Sequence, residues 1–216
     1  MTTLLGDIAP NFKNINTTQG IIDDFHSWAG DSWVILFSHP KDFTPVCTTE
    51  LGFLAKIKAE FDRRNVKLLA LSVDDIESHL SWIKDIEELH HCEVTYPIIA
   101  DDKRIVANLY NMIHPNELQN LTVRSVFIID PDKKIRLSIN YPASTGRNFN
   151  EILRVVDSLQ LTSYHQVATP ANWTQGNDCI VVPSLSDKDA QQIFSEIKHV
   201  KPYLRYTKQP ESSLPK

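Results

Sequence analysis

Trp33-Val34-Ile35-Leu36-Phe37-Ser38-His39-Pro40-Lys41-Asp42-Phe43-Thr44-Pro45-Val46-Cys47-Thr48-Thr49-Glu50-Leu51 changes its period in the middle. Trp33 to Ser38 is a short apolar run, as in a strand covered on both faces. From Pro45 onward, Leu51, Leu54, Ile57 and Phe61 recur at helical spacing, with Glu50, Lys56 and Glu60 between them. Thr44 suits the N-cap of that helix and Pro45 its first position. The stretch therefore reads as strand, tight turn, helix.

The same alternation continues downstream. Lys67 to Val73 reads as a second buried strand, and Asp74 or Asp75 caps a helix using Ile76, Leu80, Ile83, Ile86 and Leu89. Tyr96 to Ala100 is a third strand, and Asp101-Asp102 opens a helix with Ile105, Val106, Leu109 and Tyr110. Ser125 to Asp130 is a fourth strand. Pro131-Asp132-Lys133 is a turn, and Ile135 to Tyr141 is its hairpin partner. Asn148 to Leu161 forms an amphipathic helix. Upstream, the first thirty residues read as loops and short strands around Thr17-Thr18-Gln19-Gly20. This order predicts an α/β fold with a largely parallel central sheet of about five main strands and an antiparallel hairpin. After Leu161 the composition shifts. Residues 162–216 are expected to form a C-terminal α+β arm on a main domain of 1–161, with a helix from the Ser186 cap to about Val200.

The chain has 216 residues, 42% hydrophobic and 23% charged, which is ordinary globular usage and argues against wholesale disorder. The formal charge of −5 leaves no basic excess to neutralise a phosphate backbone, so nucleic acid is excluded as a partner. No apolar run approaches the ~20 residues of a membrane span. Met1 to Asp7 shows neither a basic n-region nor a long apolar stretch, so no secretory signal is expected. The three cysteines, Cys47, Cys92 and Cys179, are odd in number and far apart. That spacing does not suit a secreted disulfide framework and predicts a cytoplasmic protein with reduced thiols.

Cys47 falls in the first turn of the helix that Thr44 caps. Unsatisfied backbone N–H groups and the positive end of the helix dipole favour an anion there, and a thiolate is one. A lone cysteine usually packs as a small apolar residue, but the strand–turn–Pro–Cys–helix setting favours an activated thiol. The Thr44 hydroxyl, three residues before Cys47, is close enough to cap its N–H or to bond something at its sulfur. The fixed positive charge such a site needs has three candidates: Lys41, Arg124 at the start of a buried strand, and Arg147 at a helix start.

Pro40-x-x-x-Thr44-x-x-Cys47, with Phe43 before the threonine and Val46 before the cysteine, resembles the active-site motif of the peroxiredoxins. Phe37-Ser38-His39-Pro40 through Val46-Cys47-Thr48-Thr49-Glu50-Leu51 is similar to their one-cysteine branch. So are Asn65-Val66-Lys67-Leu68, Tyr141-Pro142-Ala143-Ser144-Thr145-Gly146-Arg147-Asn148-Phe149, Val167-Ala168-Thr169-Pro170 and Tyr203-Leu204-Arg205-Tyr206-Thr207. The resemblance spans nearly the whole chain. It implies a thioredoxin-like fold with a mixed sheet, and a thiol-dependent peroxidase that reduces hydrogen peroxide and organic hydroperoxides in antioxidant defence. It implies Cys47 as nucleophile, Thr44 as the residue that orients the peroxide, and Arg124 as the arginine that favours the thiolate. Pro40 would shield the sulfur, His39 would lie near it, and Arg147 would support the site. No cofactor is implied. The implied partners are a peroxide, an external thiol reductant (glutathione or a thioredoxin-type protein) and a second copy in a homodimer, with Trp173, Tyr203, Leu204 and Tyr206 of the arm apolar enough to cover a neighbour.

Two-cysteine relatives carry a resolving cysteine followed by proline in the C-terminal region. Cys179, in Asp178-Cys179-Ile180-Val181, lacks that proline and reads as a half-buried strand thiol. Cys92 follows His90-His91, but the segment offers no regular zinc-ligand spacing, so no metal is expected. Some one-cysteine relatives are described as having phospholipase A2 activity as well. The matching positions are Ser32, His26 and Asp132. Here the motif reads Gly30-Asp31-Ser32-Trp33-Val34, which lacks the last glycine, and Ser32 precedes a strand where a nucleophile elbow follows one. A further reading is a redox-sensing or chaperone partner that signals through oxidised Cys47.

Overall fold

The computed structural model describes residues 3–211. Its strands are β1 (Lys13–Thr17), β2 (Gly20–Asp24), β3 (Trp33–Ser38), β4 (Val66–Ser72), β5 (Ile98–Ala100), β6 (Arg124–Ile129), β7 (Ile135–Tyr141), β8 (Val167–Ala168), β9 (Cys179–Val181), β10 (Ile197–Lys201) and β11 (Leu204–Thr207). The helices are α1 (Phe25–Ala29), α2 (Pro45–Asp62), α3 (Ile76–His90), α4 (Ile105–Leu109), α5 (Phe149–Tyr164) and α6 (Asp187–Ile193). The chain divides into two compact units, residues 1–147 and 148–216.

In the first unit, seven strands form one sheet in the order β2-β1-β5-β4-β3-β6-β7. Only β3–β4 and β4–β5 are parallel; β6 runs antiparallel to β3 and to β7. The sheet is therefore mixed rather than largely parallel. The difference arises at its margins, where the hairpin of β1 and β2 adds two strands beside β5 and β6 enters reversed. Trp33 to Ser38 and Arg124 to Ile129 are buried along their whole length, as the unbroken apolar runs require. One core cluster packs Val34, Leu36, Leu69, Leu71, Phe127 and Ile129 with Phe12, Phe25 and Tyr110 from outside the sheet. Each such side chain contributes roughly 1.5–3 kcal/mol relative to exposure.

The helices follow their local signals. Asp75 accepts from the Ser78 N–H at 2.8 Å, and Asn148 accepts from the Glu151 N–H at 3.2 Å. Asp101 accepts from the N–H groups of Ile105, Val106 and Ala107, which opens α4. Where α2 faces α3, Gly52 has no room for a side chain: an added Cβ would stand 2.2 Å from Cδ2 of His90.

In the second unit, β10-β11-β9-β8 make a four-stranded sheet. Trp173, Cys179, Val181, Ala190 and Phe194 pack with Leu161 and Val167 into a separate core. The break in packing falls after Arg147 and not at the composition shift near residue 162, because α5 belongs to this unit: Leu161 joins its core, and Arg154 donates to the Trp173 carbonyl at 3.0 Å. The helix expected to reach Val200 ends at Ile193. Ile197 to Lys201 instead pair antiparallel with β11. Trp173, expected on a covering surface, is only 1% exposed, whereas Tyr203 is 74% exposed.

Gly52→Ala should destabilise the chain by about 1–3 kcal/mol through overpacking of His90. Adding His90→Ala to that variant should return most of the loss. Urea unfolding of the single and double variants measures both effects.

Candidate active site

The antiparallel β3–β6 pairing builds the site. Phe37 pairs with Val126, so the end of β3, from which the turn to α2 departs, lies beside the start of β6, where Arg124 stands. Ser38 Oγ ties the two strand ends together: it donates to the Val123 carbonyl at 2.6 Å and accepts from the Ser125 N–H at 3.1 Å. Thr122 Oγ1 donates to the His39 carbonyl at 2.7 Å.

Cys47 occupies the first turn of α2 and has no exposed surface. Arg124 Nη1 donates to its Sγ at 3.2 Å and to Glu50 Oε2 at 2.8 Å. The other edge of the same guanidinium donates twice to the Ala143 carbonyl, from Nε at 3.0 Å and Nη2 at 2.6 Å. Arg124 is thus held in one plane, with one nitrogen turned to the sulfur. Lys41 is exposed, and Arg147 bonds elsewhere, so among the three cationic candidates Arg124 is the one placed on the thiol.

Glu50, one turn after Cys47, joins the two arginines. Its Oε1 accepts from the Arg147 backbone N–H at 2.7 Å and from Arg147 Nε at 2.9 Å; its Oε2 accepts from Arg147 Nη2 at 2.6 Å. Arg147 Nη1 fills the carbonyls of Ser38 and Ser125, and its guanidinium lies 5.2 Å from the centre of the Phe37 ring. Burial alone would raise the Glu50 carboxyl, but the charge and hydrogen bonds of Arg147, with Arg124, outweigh it and hold it below the usual range. In sequence, Glu50 reads as a polar residue on the solvent face of α2. The signal that marks it is its i+3 spacing from Cys47, which puts both on one helix face.

Thr44 takes the N-cap position without making the cap. Its hydroxyl donates to the Lys41 carbonyl at 2.8 Å and accepts no bond from the Cys47 N–H. The bond to Lys41 turns the Thr44 side chain back into the β3–α2 turn, away from the N–H groups of the first helical turn. Pro40 is buried. His39 is buried too, with Nε2 2.8 Å from Asp42 Oδ1. Burial lowers its proton affinity despite the neighbouring Asp42.

His39, Asp42 and His79 each offer a ligand atom, all within 4.8 Å of one another. Their N···O separations of 2.8 and 2.7 Å are hydrogen-bond lengths. Ligands about 2.0–2.1 Å from a tetrahedral zinc stand roughly 3.3 Å apart. The cluster is built around protons. Among the described residues, His90, His91 and Cys92 form no metal-binding group.

The other two cysteines are free thiols in different settings. Cys179 is buried on β9, its Sγ 3.7 Å from the Asn177 carbonyl, and burial pushes its thiol up. Cys92, half-buried after α3, is likewise pushed up by burial. The serine-hydrolase positions do not assemble: Ser32 Oγ donates to Asn65 Oδ1 at 2.8 Å, His26 Nε2 bonds the Ala9 carbonyl at 2.8 Å, and Asp132 is exposed. No helix is long and apolar enough to cross a membrane among the described residues.

Comparison with known proteins agrees with this geometry. The chain matches the AhpC/TSA family over residues 5–138 and the C-terminal domain of 1-Cys peroxiredoxin over residues 158–196. It is 55% identical over 207 residues to the 1-Cys peroxiredoxin of Dictyostelium discoideum, covering 95% of this chain and 85% of that one. A cysteine-to-serine mutant of the peroxiredoxin 6 of Arenicola marina superposes with a TM-score of 0.91 at 49% identity, covering 97% of this chain and 99% of that one. The yeast mitochondrial 1-Cys peroxiredoxin, whose structure describes thiol resolving through glutathione/thioredoxin systems, gives 0.90 at 51% identity, covering 96% and 100%. The fold and site define a thioredoxin-like thiol peroxidase. The chain belongs to the peroxiredoxin family, in its 1-Cys branch.

Replacing Glu50 by Gln leaves two buried guanidinium groups without their counter-charge and should cost about 3 kcal/mol of stability. Glu50 titrates lower in the folded chain than unfolded. Its contribution is therefore complete above the ordinary value near 4.5 and is lost as pH falls through the folded value. Acid unfolding followed by tryptophan fluorescence should be shallower in Glu50→Gln than in the parent chain.

Proposed function

We propose that Cys47 is the peroxidatic nucleophile of this thiol peroxidase and that Arg124 and Thr44 act with it on the substrate. The observation that carries the reading is the 3.2 Å contact from Arg124 Nη1 to Cys47 Sγ, inside a buried site. A guanidinium there sets a positive charge and an N–H donor against the sulfur, and the helix N-terminus adds to that field. The thiolate attacks the terminal oxygen of the hydroperoxide. The S–O bond forms, the O–O bond breaks, and water or an alcohol leaves after taking a proton. Sulfur is oxidised to the sulfenic acid. Arg124 offers N–H groups to the oxygen on which charge develops. The Thr44 hydroxyl, bonded to the Lys41 carbonyl in the resting site, turns to donate to the peroxide.

An external thiol then condenses with the sulfenic acid, releasing water, and a second thiol displaces the mixed disulfide to regenerate Cys47. Glutathione or a thioredoxin-type protein is the expected donor. All three cysteines are free thiols and Cys179 is buried in the second unit's own core, which supports an external route. The chain is proposed to work as a homodimer. β7 lies at the margin of the seven-stranded sheet, and Tyr203 and Val200 are exposed on the C-terminal unit. Three free thiols suit a reducing compartment such as the cytoplasm.

Cys47→Ser should abolish peroxide reduction in a coupled thiol-oxidation assay, and retained turnover would refute the assignment. Arg124→Ala should slow sulfenic acid formation by roughly 10²–10³-fold and reduce the thiolate absorbance at neutral pH. After one equivalent of hydrogen peroxide, peptide mass mapping should find one added oxygen on Cys47. A disulfide from Cys47 to Cys179 or Cys92 would mean that the chain resolves itself.

A further inference from the structure

Asp42, His39 and His79 form a buried cluster that the reaction above does not use. His79, on α3, presents Nδ1 2.7 Å from Asp42 Oδ2 and Nε2 3.1 Å from the Ile99 carbonyl. A carboxylate and a carbonyl only accept, and a neutral imidazole has one N–H to give. A single proton would leave one lone pair of His79 facing another lone pair. Turning the ring over would put carbon against both acceptors. The arrangement therefore requires an N–H at each nitrogen.

A proton on Asp42 would also relieve the clash, but its oxygens already face donors. Oδ1 accepts from His39 Nε2 at 2.8 Å, and Oδ2 accepts from Ser78 Oγ at 2.8 Å as well as from His79. Burial alone would raise the Asp42 carboxyl, yet the bonds from His39 and His79 outweigh it and hold it well below the usual range. With Asp42 ionised, His39 carries its proton on Nε2, and burial together with Arg147 favours its neutral form. His39 Nδ1 is then a bare acceptor, buried and without a hydrogen-bond partner among the described residues.

The cluster is tied to the catalytic helix in two ways. The Asp42 N–H donates to Asp74 Oδ2 at 3.0 Å, and Asp74 accepts from Ser72 Oγ at 2.8 Å, so the turn before α2 is fastened to the end of β4. Phe43, next in the turn, holds a left-handed backbone at φ 53°, which a non-glycine residue keeps only when its neighbours enforce it. The His39 ring lies 5.1 Å from the Trp82 ring, and Trp82 Nε1 donates to Oγ1 of Thr48, the neighbour of Cys47, at 3.1 Å.

We propose that His79 is a positioning residue for the Cys47 reaction: a buried imidazolium that keeps Asp42 ionised, so that Asp42 fixes His39 as its Nε2–H tautomer and pins the Pro40–Thr44 turn ahead of α2. The proposal rests on Cys47 being the peroxidatic thiol. Its first readout is independent of peroxide. Ring ¹⁵N signals of the full-length, histidine-labelled chain at neutral pH, assigned with His39→Gln and His79→Gln, should show both nitrogens of His79 protonated and His39 protonated at Nε2 alone. In Asp42→Asn the amide N–H faces His39 Nε2 and should drive the His39 proton to Nδ1, with sulfenic acid formation slowed roughly a hundredfold by misplacement of the turn. A single N–H on His79, an Nδ1–H form of His39 in the parent chain, or parental kinetics in Asp42→Asn would overturn it. If Asp42→Asn does not fold, the parent ring signals decide alone. Cys47→Ser should keep those signals while lacking turnover, which separates failure of this proposal from failure of the Cys47 assignment.

Discussion

Two guanidinium groups share one buried carboxylate, and the active site is arranged around that fact. Glu50 neutralises one positive charge, so Arg124, Arg147 and Glu50 together keep a net charge of one inside the protein. Such a charge is costly to desolvate, and the structure offsets the cost by surrounding it with acceptors: the Ala143, Ser38 and Ser125 carbonyls and the Cys47 sulfur. The Cys47 sulfur is the acceptor in that set which belongs to a side chain of the helix start. The positive charge that faces the sulfur thus comes from the surroundings as much as from the helix end.

This constraint explains why the sheet must be mixed. Arg124 reaches Cys47 because β6 runs antiparallel to β3, which sets the start of one strand beside the end of the other. A parallel β6 would carry its first residue to the opposite end of the sheet. Arg147 binds the backbone carbonyls left over at that same edge, and the loop carrying Ala143 wraps the remaining side of Arg124. Cys47 therefore sits where two strand ends, a helix start and a loop converge.

The part of this legible in the sequence was the part governed by local rules. Strand and helix from Trp33 to Phe61 follow from periodicity, and Cys47 stands out through Thr44 and Pro45. Arg124 was readable as a cation at the start of a buried strand. Glu50 was not, because a glutamate among Lys56 and Glu60 looks like solvent-facing helix until the partner arginines arrive from residues 124 and 147. Asp42 and His79 escaped for the same reason, being thirty-seven positions apart and joined only by the fold. The Thr44 hydroxyl followed the turn geometry instead of the capping rule. Near the C-terminus, the Ser186 cap was a true start signal, but nothing local announced that the chain would leave the helix at Ile193 to pair with β11.

The burial of Cys47 sorts molecules by size. A hydroperoxide is small, whereas a tripeptide or protein thiol is many times larger, and in the proposed cycle both meet the same sulfur atom. With no exposed surface at that atom, the larger thiol places the greater demand on the turn before α2 in that cycle. Half-buried Cys92 is the thiol that a bulky labelling reagent meets first, so a thiol count made with such a reagent on the resting chain reports on Cys92 rather than on Cys47.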